Sequence, residues 1–440
     1  MSYKAIVCRL SDVKPHPNAD RLQIAHAIGY NVIVGLDARD GDLGVLFPTD
    51  GKLSNDMCMA NNLYRKNPIT GELMGGYLEA NGRIKVVKLR GENSEGLFTS
   101  LSSLDWAGPN NLKEGDEFDT INGKVVCQKY YTPATIRAMK RAEKSYKKPW
   151  WLPRYFVPIH KKYFVKTKTG NKCPDFVKHF DTSKLRQVVH LIPPNLDVYF
   201  SEKFHGTSAR SGYFKYDDRN LLKRLLRFPL EYKYVYGTRN VNYPPNKKDD
   251  TGYYSGTDFR RLAHEKVIKN GLKKEELIFY EIVGYADLDK KIMPDHTIQD
   301  SELKESGFSQ KNIKEFRDEY GETISYTYGC ENGEFDIYVY RITQNGKDLN
   351  YEEMVKRCDE LDLKPTECIY HCKSDQDLMI LSEKLSRLSS IKGQLSEGVC
   401  LRLEDNGEFK NIVKYKSFVF SLAEQIKKNT DTYIDLEEIS

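Results

Sequence analysis

SEKFHGTSAR, residues 201–210, follows the β-rich run LDVYF at 196–200 and places a lysine, a histidine, a glycine and two hydroxyl residues within six positions. A strand that ends on Lys203 and then turns so tightly has two readings. One is a basic strand end followed by Gly and Ser, the commonest strand punctuation. The other is a nucleophilic lysine held on a rigid strand end, with Gly206 letting a bound ligand approach the backbone. The rest of the chain separates the two.

Four stretches follow in order: YVYGTRN at 234–240, LIFYEIVG at 277–284, LSEGVCLRL at 395–403 and IVKYKS at 412–417. Each ends or interrupts a predicted strand. Taken singly, each has a bland reading as an edge charge, a turn or an exposed alternating strand. In this order and spacing, with SEKFHGTSAR at their head, they resemble motifs I, Ia, III, IV and V of the covalent nucleotidyltransferases, the superfamily of ATP-dependent RNA ligases, DNA ligases and messenger-RNA capping enzymes. The K-x-H-G-T form resembles the RNA ligases, because the other two groups usually carry Asp where His205 stands. An imidazole cannot replace a carboxylate beside a metal, so the resemblance implies no metal contact through His205.

The resemblance implies a role for each residue. Lys203 is the nucleophile that forms a lysyl-AMP phosphoramidate. Its amine must be neutral to attack the α-phosphorus of ATP, which calls for a depressed pKa supplied by nearby Lys414, Lys416 and a bound cation. Lys414 and Lys416, two apart on one strand, share a face and reach phosphate oxygens where charge accumulates. Arg239 holds a phosphate through its fork of donors. Glu281 contacts the ribose, Glu202 reaches the adenine edge, and Glu397 holds Mg²⁺ or Mn²⁺ through water, with Glu281 as a second metal residue. EFDIYVYRIT at 334–343 is similar to motif IIIa, whose aromatic stacks on the base. Tyr340 is preferred there, with Tyr338 on the same face and Phe335 on the other.

The 440 residues allow two or three domains. Residues 1–128 read as short β segments between Gly, Asn and Asp turns. HPNADRLQIA (16–25) and LRGENSEGLFTS (89–100) resemble the OB-fold tRNA-binding domains appended to some aminoacyl-tRNA synthetases, which implies a barrel for a nucleic-acid strand or a docking module. Residues 129–194 form a basic aromatic connection into a catalytic domain at 195–440. From 129 to 172 there are thirteen Lys or Arg against the single acid Glu143, interleaved with nine aromatics. That composition offers phosphate-neutralising cations and stacking surfaces, although the net charge of the chain is only +5. Leucines at 378, 381, 385 and 388 behind Ser374, as N-cap, predict a helix over 375–389, and 301–320 reads as an exposed helix. Nine scattered cysteines fit reduced thiols. The group Cys358, Cys368, His371 and Cys372 lacks paired zinc spacing, and packing thiols are the favoured reading.

The expectation is therefore an α+β protein: an OB-like β-barrel, then an adenylyltransferase domain of antiparallel sheets flanked by helices. Its expected activity is ATP-dependent RNA ligation, joining 3′-hydroxyl to 5′-phosphate RNA ends in nick repair by a cytoplasmic, non-membrane monomer. Removal of residues 1–128 is expected to spare lysyl-adenylate formation and impair sealing. A DNA ligase, a capping guanylyltransferase and a non-catalytic RNA-binding protein that has kept the fold are the alternatives.

Overall fold

In the strand Asp197–Glu202 (DVYFSE), Val198, Phe200 and Glu202 are buried and the residues between them are less so. That period of two is what a strand with one covered face requires. The computed structural model describes residues 3–143, 172–245, 254–389, 391 and 393–428. Within it this strand belongs to a five-stranded sheet ordered Ser183–Lys184, Glu408–Lys416, Gly398–Asp405, Asp197–Glu202, Cys368–Lys373, in which only the first pairing is parallel.

A second sheet runs Asn242–Tyr243, Glu231–Thr238, Thr207–Tyr216, Glu276–Asp287, Phe335–Gln344, Lys347–Asp348, with short strands added at Lys290–Lys291 and Lys364–Pro365. Its central strand Glu276–Asp287 is buried at all but three positions because both faces are covered. Ile278, Tyr280 and Ile282 pack with residues of the helices Phe259–Ile268 and Tyr351–Leu361. Leu277 and Phe279 pack with Cys173, Phe176 and Phe214 on the other side.

The chain passes from the first sheet to the second between Glu202 and Thr207, so Lys203 sits on the crossing. Gly206 is needed there for a reason other than a ligand. A Cβ at this position would stand 2.3 Å from the carbonyl oxygen of Ile282 on the neighbouring strand, and backbone cannot give way as a flexible side chain can.

The N-terminal sheet is antiparallel, in the order Tyr30–Val34, Gln23–Ala27, Ala5–Pro15, Leu43–Pro48, Gly96–Ser100. It curls on itself: the Glu95 N–H beside its last strand donates to Asn31 O in its first at 2.8 Å. The two OB-like stretches meet at this end. His16 is buried, with Nε2 3.0 Å from Leu89 O and Nδ1 accepting from the Asn18 N–H, while Asn18 Nδ2 donates to Arg90 O at 2.9 Å. The polar residues of HPNAD therefore pin one loop to another. The whole is α+β, a curled antiparallel sheet followed by antiparallel sheets flanked by helices, as expected.

Two predicted helices differ. The first is shorter, Leu378–Leu385, and Asp377 caps it, its Oδ1 accepting from Met379 N and Ile380 N. Ser374 instead donates its hydroxyl to Pro193 O and accepts from Leu196 N, because it closes the strand end opposite. The second is broken into Asp300–Glu305 and Gln310–Tyr320. Gly307 turns the chain between them at φ +89° against the Lys88 carbonyl, and Lys88 N donates to Ser306 O at 2.7 Å. Contact with the N-terminal region decides the break.

Candidate active site

A cavity of about 430 Å³ opens between the two sheets at the Lys203 crossing, and its wall includes Glu202, Lys203, Arg239, Glu281, Tyr340, Glu397, Lys414 and Lys416. All eight residues singled out in the sequence thus face one space. Strand register assembles them. Glu202 lies opposite Val399, Lys203 N donates to Gly398 O at 2.9 Å, Gly398 lies opposite Lys416, and Cys400 opposite Lys414. Gly398 makes this close fit possible: its φ is +147°, and a Cβ would stand 2.0 Å from Tyr415 O.

Glu397, 3% exposed, joins the two ends of the constellation. Its Oε1 lies 2.7 Å from Lys203 Nζ and 3.3 Å from Lys416 Nζ. Burial pushes its carboxyl up, but Lys203, Lys416 and His205 outweigh that and hold it far below the usual carboxylate range. Lys203 does not have the depressed pKa expected of it. Burial does lower it and Lys416 adds to that, yet Glu397 in direct contact prevails, so the ammonium is held above its ordinary value. Glu397 Oε2 has no hydrogen-bond partner among the described residues and faces His205 Nδ1 at 3.4 Å.

His205 is fixed on all sides. Its N–H donates to Tyr328 Oη at 2.7 Å, and its ring stands edge-on to Tyr326 and Phe420 at 4.7 and 5.0 Å.

The second sheet supplies the opposite wall. Glu281 lies between Ser208 and Tyr338 in register. A bulge pairs Phe279 with Arg341 and Tyr280 with Val339, leaving Tyr340 out of the ladder. Tyr340 lines the cavity, 2.9 Å from Ser208 Oγ through its hydroxyl and 5.2 Å from the His179 ring. The alternatives are engaged elsewhere: Tyr338 stacks on Phe204 at 4.0 Å, and Phe335 packs against the core of the second sheet. Arg239 forms an ion pair with Asp181 at 2.8 Å, and Glu202 Oε1 accepts from Ser389 Oγ at 3.2 Å.

Sequence reading missed several wall residues. His179 and Phe180 come from the region read as connecting segment, and buried Arg260, whose Nη2 donates to Thr207 Oγ1 at 3.3 Å, comes from a helix. Burial, followed by Arg341, Arg239 and Lys414, drops the His179 pKa to about 3, so its imidazole is neutral. Nothing local marks these residues, because their neighbours at the site are far away in sequence.

Residues 144–171 of the basic aromatic segment lie outside the described residues. At its start, Tyr130 is covered by Arg83 at 4.4 Å and Tyr131 by Lys129 at 5.5 Å. The Cys/His group is dispersed: Cys358 lies in the core of the second sheet, Cys372 in that of the first, and His371 pairs with Asp197 at 3.1 Å.

Comparison with known proteins agrees with this geometry. A family model described as RNA ligase matches residues 196–416. No curated protein matches. Among solved structures, an alanine mutant of Naegleria gruberi RNA ligase with ATP and manganese aligns over 97% of this chain and 99% of its own, at 15% identity and a TM-score of 0.56. An apo mutant of the same enzyme covers 97% and 99% at 15% identity and a TM-score of 0.58. The enzyme with pyrophosphate covers 94% and 97% at 14% identity and a TM-score of 0.54. At such identities the likeness is one of fold. The family model spans half the chain and covers every residue that joins Lys203, Glu397 and Lys416, and on that match the chain belongs to the RNA ligase family.

Proposed function

We propose that this RNA ligase uses ATP and a divalent cation to join a 3′-hydroxyl to a 5′-phosphate RNA end, acting as a cytoplasmic monomer on nicked duplexes. The observation that carries the reading is the pair of lysines, Lys203 and Lys416, sharing one buried carboxylate at the wall of a nucleotide-sized cavity. The solved Naegleria gruberi enzymes with ATP, AMP and manganese support the choice of ligands.

A divalent cation fits the donor set. Glu397 Oε2 is a buried oxygen with a free lone pair, and Glu281 faces the same cavity. Among the described residues no three His, Cys, Asp or Glu side chains form a metal cage, which suits Mg²⁺ or Mn²⁺ retaining waters. When bound, the cation supplies positive charge that competes with Lys203 for Glu397 and neutralises phosphate oxygens.

Lys203 Nζ, as the free amine, attacks the α-phosphorus of ATP. An N–P bond forms, the bond to pyrophosphate breaks, and the lysine nitrogen loses its proton. A 5′-phosphate oxygen of RNA then attacks the AMP phosphorus and Lys203 leaves as amine. Finally the 3′-hydroxyl attacks the activated 5′-phosphorus and AMP departs. Lys414 and Lys416 line the side where this charge develops, which is where fixed cations accelerate most. Tyr340 offers a ring for the base, and Arg239 a fork for ribose or phosphate.

The test is to incubate the protein with α-labelled ATP and Mg²⁺, then add 5′-phosphorylated RNA as single strand and as nicked duplex. Label is expected first on protein, then on RNA, with the nick preferred. Label from GTP instead would favour a capping guanylyltransferase, equal use of DNA 3′-hydroxyl strands a DNA ligase, and no label a non-catalytic RNA-binding role.

A further inference from the structure

The strand that carries Lys414 and Lys416 does not end in a loop. Ser417 follows at once as N-cap of the helix Phe418–Lys427. Its Oγ accepts from Phe420 N at 3.1 Å and donates to Ser396 O at 3.2 Å, and its own N–H donates to Glu397 O at 3.0 Å. This turn ties the backbone of Lys416 to that of Glu397 and folds the helix back over both side chains.

The helix brings a second carboxylate to the site. Glu424 Oε2 lies 3.0 Å from Lys416 Nζ, slightly nearer than Glu397 Oε1 at 3.3 Å, and the Phe420 ring centroid is 5.2 Å from the same nitrogen. Glu424 Oε1 takes Lys428 at 3.2 Å. Lys203, Glu397, Lys416, Glu424 and Lys428 thus form an unbroken line of alternating charge that starts at the nucleophile. Among the described residues, other groups that interact with Glu424 are His205 from the crossing loop, Tyr326, Arg83, and Asp50 in the turn after the strand Leu43–Pro48, which itself lies 3.7 Å from Lys184. Glu424 lies beyond the residues that the family model matches.

A lysine ammonium is a compact charge on a four-carbon stem with many rotamers. Without Glu424, Lys416 would be freer to follow the Glu397 carboxylate and compete for it with Lys203. Anchored from the other side, it keeps its place at the cavity wall while Glu397 changes partners. We propose that Glu424 is a positioning residue that holds the Lys416 ammonium for adenylyl transfer, a role that rests on the reading of Lys416 given above.

The experiment measures lysyl-AMP formation from labelled ATP in the full chain, at saturating ATP and across ATP concentration, for Glu424→Ala, Glu424→Gln, Lys416→Ala and the double variant Lys416→Ala/Glu424→Ala. Glu424→Ala is expected to slow the saturated rate roughly ten- to a hundred-fold, with half-saturating ATP changed no more than about three-fold. In the Lys416→Ala background the same change should cost less than about two-fold, since a residue that acts through Lys416 has nothing left to position. A merely structural glutamate would give the same loss in both backgrounds, and that result overturns the proposal, as does a wild-type rate in Glu424→Ala. If Glu424→Ala fails to fold, Glu424→Gln carries the same cycle. Wild-type protein that takes no label defeats the ligase reading itself, a failure distinct from a labelled wild type with indifferent Glu424 variants.

Discussion

Lys203 and Glu397 are best understood as one unit. Contact with the carboxylate keeps the lysine charged, and for the proposed chemistry the pair must part. Lys203→Ala removes the atom proposed to form the phosphoramidate and leaves Glu397 paired with Lys416, so protein labelling from ATP should vanish with the melting temperature close to wild type. Glu397→Gln deprives two neighbouring ammonium groups of their shared counter-charge and replaces one of its two buried oxygens with an amide nitrogen that cannot hold a cation. It should slow adenylylation by a factor on the order of a hundred or more, and a labelling time course near wild type would take Glu397 out of the site. Lys203, Glu397 and Lys416 were singled out in the sequence by the resemblance of their stretches, in that order, to nucleotidyltransferase motifs. Glu424 was not, because an acid on an amphipathic helix looks like any solvated glutamate until the helix is seen to fold over the Lys416 strand.

At the scale of elements, the site depends on how closely three strand ends approach one another. Gly206 and Gly398 sit where a neighbouring backbone oxygen leaves no room for Cβ, at 2.3 and 2.0 Å. Gly398→Ala also meets an unfavourable φ of +147°. It should destabilise the protein by about 1 to 3 kcal/mol, as overpacking does, and should displace Lys203, whose N–H bonds to the Gly398 carbonyl. Urea midpoints and labelling rates measured side by side check both parts, and an Ala variant equal to wild type in each would mean that the strands can separate at no cost. The sequence offered Gly206 as turn punctuation or as an opening for a ligand, and Gly398 only as part of a turn before a strand. The demand on them is made by strands that are neighbours only after folding.

For the whole molecule, contacts between the N-terminal sheet and the rest of the chain bear on chemistry as well as on RNA. Buried Glu95 pairs with Arg186 at 2.7 Å, and Arg186 donates to Gly29 O and to the hydroxyl of Tyr415, which stands between Lys414 and Lys416. Gln425, next to Glu424, exchanges hydrogen bonds with both the N–H and the carbonyl of Val86. Deleting residues 1–128 strips these buried groups of their partners. Lysyl-adenylate formation should therefore fall together with nick sealing, contrary to the expectation from sequence, and full labelling by the truncated chain would show the two regions to be independent.

Acid should also unfold the protein early. Burial lowers His179 to about 3 and His264 and His296 to about 4. Between these values and about pH 6.5 the unfolded chain binds protons that the native state does not. Stability is thus present above pH 6.5 and is lost as pH falls toward 4. Melting temperatures at pH 7, 6 and 5 should decline in that order, and a flat series would contradict the neutral buried imidazoles.

By itself the sequence pointed to the RNA ligase family and to the class of fold. Lysines, acids and an aromatic in a set order resemble the motifs of that family, because local residue type limits what a side chain can do, and period-two burial fixes which way a strand faces. Tertiary structure alone decided the state of those groups. Whether Lys203 is charged depends on Glu397, 194 positions later, and the break at Gly307 depends on Lys88. The partner that anchors Lys416 from a helix, and the use of His16 and Asn18 as staples, are contact facts of the same kind. Such interactions arise between segments that meet only when the sheets pack, and charge, burial and close approach belong to the pair in contact and not to either residue alone.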